Sequence, residues 1–251
     1  MNQNNSEPVQ QLNSQNNNHQ KPKLLGVIPA AGSGQRFSKT ELKQYLKIAG
    51  QTVLQHSVNA LYQLPLENCV IAISANDTYA SQIQYAHPVQ FCIGGKERMD
   101  SVFAALQHLH GYADKNDYVL VHDAARPCLH QNQIEAIANF CETGQDAAII
   151  AVPVRDTLKK SKENQEIETT IDRSALWQAQ TPQIVKYGVL YQALQHAIQN
   201  HLLVTDEASA LEHLDIPVKL LEGRSDNIKI TYPDDLDIAT LILQRFSTHT
   251  N

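Results

Sequence analysis

Short runs of continuously apolar residues alternate along this chain with longer segments whose apolar positions recur every three or four residues. The run KLLGVIPA (23–30) predicts a first buried strand, and TVLQHSVNALYQL (52–64) an amphipathic helix. NCVIAISA (68–75) predicts a second strand, followed by a short helix after Asp77, and VQFCIGG (89–95) a third strand. RMDSVFAALQHLHG (98–111) has helical period and closes on Gly111. DYVLVHDAARP (117–127) predicts a fourth strand running into a loop stopped by Pro127, QNQIEAIANFCETG (131–144) a helix, and DAAIIAVPV (146–154) another strand. Strands that are apolar at every position, not at alternate ones, belong to a sheet covered on both faces. Their alternation with helices predicts an α/β fold: a mainly parallel sheet with helices on both sides.

The pattern breaks at 153–173, where PVRDTLKK, SKENQE and IETTIDR read as two polar-rich alternating strands around a charged turn. This hairpin is too polar for a core; it is either an exposed flap or an arm that packs on another subunit. Helical period resumes at VKYGVLYQALQHAIQNH (185–201) and DEASALEHL (206–214); a strand IPVKLLEG (216–223), then NIKITYP (227–233), and a last helix from Asp234 follow. No internal repeat is visible. Residues 1–20, MNQNNSEPVQQLNSQNNNHQ, are rich in Asn and Gln, lack the basic start and apolar core of a signal peptide, and predict a disordered tail. The expected layout is that tail and one domain over 21–251 carrying the arm.

Hydrophobic residues at 42% and charged residues at 18% suit a soluble globular protein. The net charge of −6 argues against a nucleic-acid partner, so any anion site must be built locally. The longest apolar run, AAIIAVPV (147–154), is strand-sized and predicts no membrane span. The 4 cysteines form no CxxC pair and have no histidines at zinc-like spacing; they read as free thiols in a reducing cytoplasm.

The loop VIPAAGSGQRF (27–37) is not a P-loop, because Lys39-Thr40 follows Ser38 and not glycine. It is not a Rossmann fingerprint either, because Phe37 stands where a third small residue belongs. What remains is Ala30, Ala31, Gly32, Ser33 and Gly34 at the carboxyl end of a parallel strand, where open α/β sheets bind ligands. Small side chains let backbone N–H groups approach phosphate oxygens, and Arg36 and Lys43 add charge that amides lack. Asp123 ends another strand at the same edge, either as a ligand for a divalent cation held against phosphates or as a turn cap. His122, pointing to the opposite face, reads as structural. Gly95 and Ser101 in GGKERMDSV (94–102) mark either a plain helix start or backbone contacts to a base or sugar. Arg173 and Lys229 are phosphate ligands or solvated surface cations.

Taken together, PAAGSGQRF, KQYL, GGKERMDSV, VHDAARPCL, PVRDTLK, TIDRSALWQAQTPQ, TDEASALE and GRSDNIKIT resemble the 2-C-methyl-D-erythritol 4-phosphate cytidylyltransferase family, in that family's order, from Lys23 onward. The resemblance implies a Rossmann-like nucleotidyltransferase fold with a protruding β-hairpin arm, and a homodimer in which the arms interlock. It implies an enzyme of non-mevalonate isoprenoid synthesis that transfers CMP from CTP to methylerythritol phosphate with Mg²⁺. On that basis Ala30 to Gly34 hold the CTP phosphates, Arg36 and Lys43 are catalytic, Gly95 and Ser101 bind cytidine, and Asp123 ligates the metal with Asp226 as a second acidic contact. Arg126, Thr157, Arg173 and Lys229 address methylerythritol phosphate, Thr157 and Arg173 from a partner's arm, while Thr181 and Thr205 match further motif positions. Leu42 stands where the family often has proline, which changes the stiffness of the loop before Lys43. Competing readings are a cytidylyltransferase for another polyol phosphate such as ribitol 5-phosphate, and a nucleotide-binding protein without turnover.

Overall fold

The computed structural model describes residues 21–32, 37 and 42–248. The expected tail at 1–20 lies outside them, as do Ser33, Gly34 and Arg36 of the glycine loop. The strands are β1 (Leu24–Pro29), β2 (Lys47–Ile48), β3 (Gln51–Thr52), β4 (Leu66–Ile73), β5 (Gln90–Ile93), β6 (Tyr118–Val121), β7 (Ala147–Pro153), β8 (Leu158–Ser161), β9 (Ile167–Ile171), β10 (Trp177–Lys186) and β11 (Lys219–Glu222). The helices are α1 (Val53–Leu61), α2 (Arg98–His108), α3 (Gln131–Glu142), α4 (Tyr187–Gln199), α5 (Glu207–Glu212) and α6 (Asp234–Thr248).

A 7-stranded sheet runs in the order β11-β7-β10-β6-β1-β4-β5. β10 is antiparallel to both neighbours, β6 and β7, and every other pairing in this sheet is parallel. The mainly parallel sheet expected from the apolar runs is therefore present. Successive strand residues point to opposite faces, and the packing follows that alternation. Ile28, Ile71, Leu120 and Ile184 bury with Leu54, Val58 and Leu61 of α1 and Ile137 and Phe140 of α3. Val27, Val70, Val121 and Val185 bury on the other side with Leu106 of α2, Leu190 of α4 and Leu211 of α5. Truncating one of these fully buried leucines to alanine removes packing worth roughly 2–5 kcal/mol.

A third apolar cluster serves the site directly. Ala239 of α6 packs with Ile48, Val53, Ala125, Cys128 and Ile230, and partly buried Phe37, Leu46 and Leu236 join them. It ties the end of the glycine loop, the turn after β6 and the segment around Lys229 to one helix.

Two features were hidden in the sequence. Polar residues and Pro182 disguise β10: the helical period expected from 185 begins two residues later, and the chain is a strand through Lys186. Between Ala179 and Gln183 its register against β7 shifts, and Thr181 and Gln180 are buried at that irregularity. The segment 227–233 belongs to no strand. It lies beside the turn after β6 through Ile230 N–H donating to Ala125 O at 2.9 Å, and buries Asn227 and Ile230. The arm is β8 and β9, which pair only with each other, largely exposed and bridged by Lys160 and Glu168 at 2.9 Å.

Candidate active site

The carboxyl ends of β1, β5 and β6 frame a cleft of about 270 Å³. On one wall β1 ends at Pro29 and the backbone continues through buried Ala30 to Ala31 and Gly32. Ala30 O accepts from Gln44 Nε2 at 3.2 Å, which fixes the turn carrying Lys43 against this loop. Lys43 Nζ donates to Ile230 O at 2.5 Å, one residue beyond Lys229. On the opposite wall Gly94 approaches so closely that a Cβ there would lie 2.8 Å from that of Ala31; at Gly95 it would lie 2.2 Å from Asp100 Cβ. The glycine pair is thus demanded by backbone approach.

Asp123 sits at the floor, buried, with Lys229 Nζ 2.9 Å and Arg126 Nε 3.2 Å from Oδ2 and Arg98 Nε 3.4 Å from Oδ1. Burial alone pushes this carboxyl up, but Lys229, Arg98 and Arg126 outweigh it and hold it well below the usual carboxylate range. The anion is fixed from behind by a relay. Asp123 N–H donates to Thr181 Oγ1 at 3.0 Å, and Thr181 Oγ1 lies 3.0 Å from His122 Nδ1. His122 Nε2 lies 2.9 Å from Arg126 O; a carbonyl only accepts, so Nε2 carries the hydrogen and Nδ1 accepts from Thr181. Burial pushes His122 down to about 4, which keeps this neutral tautomer. Arg126 in turn donates to Asn227 O at 2.7 Å, and Asn227 Nδ2 donates to Thr181 O at 2.9 Å. The β10 irregularity is what brings Thr181 into this circuit.

Sequence reasoning missed a pair that begins at the cleft wall. Arg98, the first residue of α2, binds buried Glu207, the first of α5, through Nη1–Oε1 at 2.6 Å and Nη2–Oε2 at 3.0 Å. The available signal was a glutamate in TDEASALE and an arginine in GGKERMDSV, opposite charges in two of the segments that the sequence singles out.

Of the expected site residues, Ala30, Ala31, Gly32, Lys43, Gly95, Ser101, Asp123 and Lys229 line one cleft. Arg126 and Thr181 stand directly behind Asp123. Thr205 is exposed ahead of α5, its N–H donating to Ser209 Oγ at 3.0 Å. Thr157 and Arg173 lie exposed at the arm and do not line the cleft. Asp226 does not line it either; its carboxylate is paired with Arg224 at 2.6 Å. Among the described residues no group of three His, Cys, Asp or Glu is placed to hold a metal. A single ionised carboxylate still fits a magnesium ion that takes most of its oxygens from water and substrate phosphates. Asp123 lines the cleft where such phosphates would lie, and Asp226 does not.

The model of the 2-C-methyl-D-erythritol 4-phosphate cytidylyltransferase (IspD) family matches residues 24–245. The chain belongs to that family. The cytidylyltransferase of this name from Acinetobacter baumannii (strain SDF) is 56% identical over 225 residues, covering 88% of this chain and 94% of the relative. That from Vibrio vulnificus (strain CMCP6) is 45% identical over 225 residues, 88% of this chain and 95% of the relative. The crystal structure of the Francisella tularensis enzyme matches with a TM-score of 0.77 at 34% identity, over 88% of this chain and 99% of that one. As a member of the IspD family the chain is a nucleotidyltransferase enzyme with CTP as substrate. The family match sets aside the reading as a binding protein without turnover.

Proposed function

We propose that this chain transfers CMP from CTP to 2-C-methyl-D-erythritol 4-phosphate, yielding 4-diphosphocytidyl-2-C-methyl-D-erythritol and pyrophosphate in non-mevalonate isoprenoid synthesis. The observation that carries the reading is the cluster of Lys229, Arg98 and Arg126 around Asp123 beside the small-residue loop at Ala30 to Gly32. An acceptor phosphate oxygen attacks the α-phosphorus of CTP. The bond to the bridging oxygen breaks, and pyrophosphate leaves with the electron pair. The attacking oxygen is already anionic, so no general base is required and the protein supplies alignment and charge.

Ala30, Ala31 and Gly32, continued by Ser33 and Gly34, hold the CTP phosphates. Arg36 and Lys43 stabilise charge developing at the α-phosphate, and Gly95 and Ser101 address the cytidine. Lys229 and Arg126 bind the acceptor phosphate. Thr181, whose hydroxyl is engaged by Asp123 N–H and His122, shapes the site from behind; Thr205, exposed ahead of α5, is kept as a substrate-binding position on the family resemblance alone. Asp123 would hold Mg²⁺, which when bound would neutralise triphosphate charge. Asp226, held by Arg224, has no support as a ligand.

Thr157 and Arg173 are exposed at the base of a hairpin whose strands, among the described residues, pair only with each other, which supports a homodimer in which they reach the partner's cleft. The four free cysteines support a reducing, cytoplasmic setting, and no helix of the described residues is long and apolar enough to cross a membrane. The body from residue 21 onward forms one domain.

The test is pyrophosphate release from CTP and Mg²⁺, with methylerythritol phosphate and ribitol 5-phosphate offered separately. Release with the first alone is expected. Release with ribitol 5-phosphate alone overturns the acceptor and leaves the nucleotide half standing.

A further inference from the structure

Glu207 has no place in the reaction just described, yet the residue is 1% exposed, and among the described residues its ion partner is Arg98. A buried ion pair is weak evidence for stability, because desolvating both charges consumes most of their attraction. Its geometry is more informative. Glu207 takes both terminal nitrogens of the guanidinium, at 2.6 and 3.0 Å, and leaves only Nε facing Asp123, at the longer distance of 3.4 Å. Asp123 Oδ2 is already occupied by Arg126 and Lys229, so Oδ1 is the oxygen that Arg98 governs. The anchor is itself rigid. Gln183 Oε1 accepts from Ala208 N–H at 3.0 Å and Gln183 Nε2 donates to Asp206 at 2.8 Å, which fastens the start of α5 to β10.

We propose that Glu207 is a positioning residue for nucleotidyl transfer: by holding the fork of Arg98, it keeps that guanidinium from closing over Asp123 Oδ1. This rests on the reading of the cleft as the transfer site. With Glu207 uncharged, the fork is free and the remaining carboxylate within 4 Å among the described residues is Asp123, whose Oδ1 then exchanges a single 3.4 Å contact for a close clasp. The same change leaves the cleft one charge more positive. An anionic nucleotide binds such a cleft at least as well, while the reaction slows.

The experiment is steady-state kinetics of Glu207→Gln and of the double variant Arg98→Met with Glu207→Gln. In the single variant kcat is expected to fall about 10- to 100-fold, the scale of a misplaced catalytic group, with the KM for CTP unchanged or lower. A merely structural defect does the reverse, raising KM and lowering Tm. The double variant removes the capping guanidinium and is expected to regain at least threefold in kcat over the single one. Unchanged kcat in Glu207→Gln, or no recovery in the double variant, overturns the proposal. Should the single variant not fold, the double decides alone: kcat within tenfold of wild type is expected, and a larger loss overturns it. Silence of the wild type with methylerythritol phosphate indicts only the functional reading. Glu207 is then read by calorimetry with CTP, where Glu207→Gln is expected to bind at least as tightly as wild type and weaker binding overturns the proposal.

Discussion

The cleft and the arm both carry polar and charged residues, but the chain treats them in opposite ways. Around Asp123 the polar groups are partnered to one another: Lys229, Arg126 and Arg98 to its oxygens, Thr181 to its N–H, His122 to Thr181. The arm holds Thr157, Arg173, Lys160 and Glu168 in an exposed two-stranded ribbon. Burial is the reason for the difference. An unpaired polar group in the cleft costs about 1–3 kcal/mol, whereas the same group on the arm is satisfied by water. The cleft is therefore preorganised by its own chain, while the arm's polar groups face water.

The largest effect is expected where preorganised charge meets the reaction. Lys43→Ala removes a cation that the Ala30–Gln44 contact and the Ile230 carbonyl hold in place. Turnover is expected to drop on the order of 10²–10³, by analogy with loss of an oxyanion donor, with an unchanged circular dichroism spectrum. Near-normal pyrophosphate release from this variant removes Lys43 from the mechanism.

The next test crosses the two regions. Arg173→Ala leaves the cleft intact and is expected to raise the KM for methylerythritol phosphate while CTP binding persists. Lys43→Ala leaves the arm intact. If arms serve the partner's cleft, mixing the two after unfolding and refolding together gives mixed dimers with one sound site each. Activity is then expected to recover to roughly a quarter of wild type, since half the dimers are mixed and half their sites are whole. No recovery would mean that Arg173 acts within its own chain or not at all.

A smaller effect probes the circuit behind the cleft. Thr181→Val preserves shape but strands the Asp123 N–H and His122 Nδ1 in a buried setting. It is expected to lower stability by about 1–3 kcal/mol, read as the urea midpoint. Thr181→Ser, which keeps the hydroxyl, restores most of it. Thr181→Val as stable as wild type overturns the circuit, and a loss confined to Thr181→Ser assigns the contribution to methyl packing instead.

These residues also mark what the sequence could disclose. The strands around the cleft were legible because sheets buried on both faces leave continuous apolar runs, as in VLV before His122. The glycine loop and Asp123 were legible because they end such runs. β10 was not, since Gln178, Gln180 and Gln183 interrupt its apolar pattern; Gln180 and Gln183 are buried to make specific bonds to Arg224, Asp206 and Ala208. Arg98 and Glu207 stayed hidden for a related reason. Their partnership spans 109 positions and is set by tertiary packing alone. His122 was correctly assigned a structural part, but its role as the hub linking Thr181 to Arg126 needs the fold to be seen.

The smallest expected effect is the most sensitive to the arm's true surroundings. Lys160 and Glu168 form a 2.9 Å ion pair with side chains 60% and 44% exposed. In that setting water competes for both charges and salt screens them, so the pair is worth at most about 1 kcal/mol. Lys160→Ala is expected to shift the urea midpoint within error at low protein concentration and to leave kcat untouched. A loss well above that, growing as protein concentration rises, would show that the ribbon is buried in solution against a second copy. The contrast between a finished cleft and an unfinished arm would then belong to the isolated chain, and the active unit would be the pair.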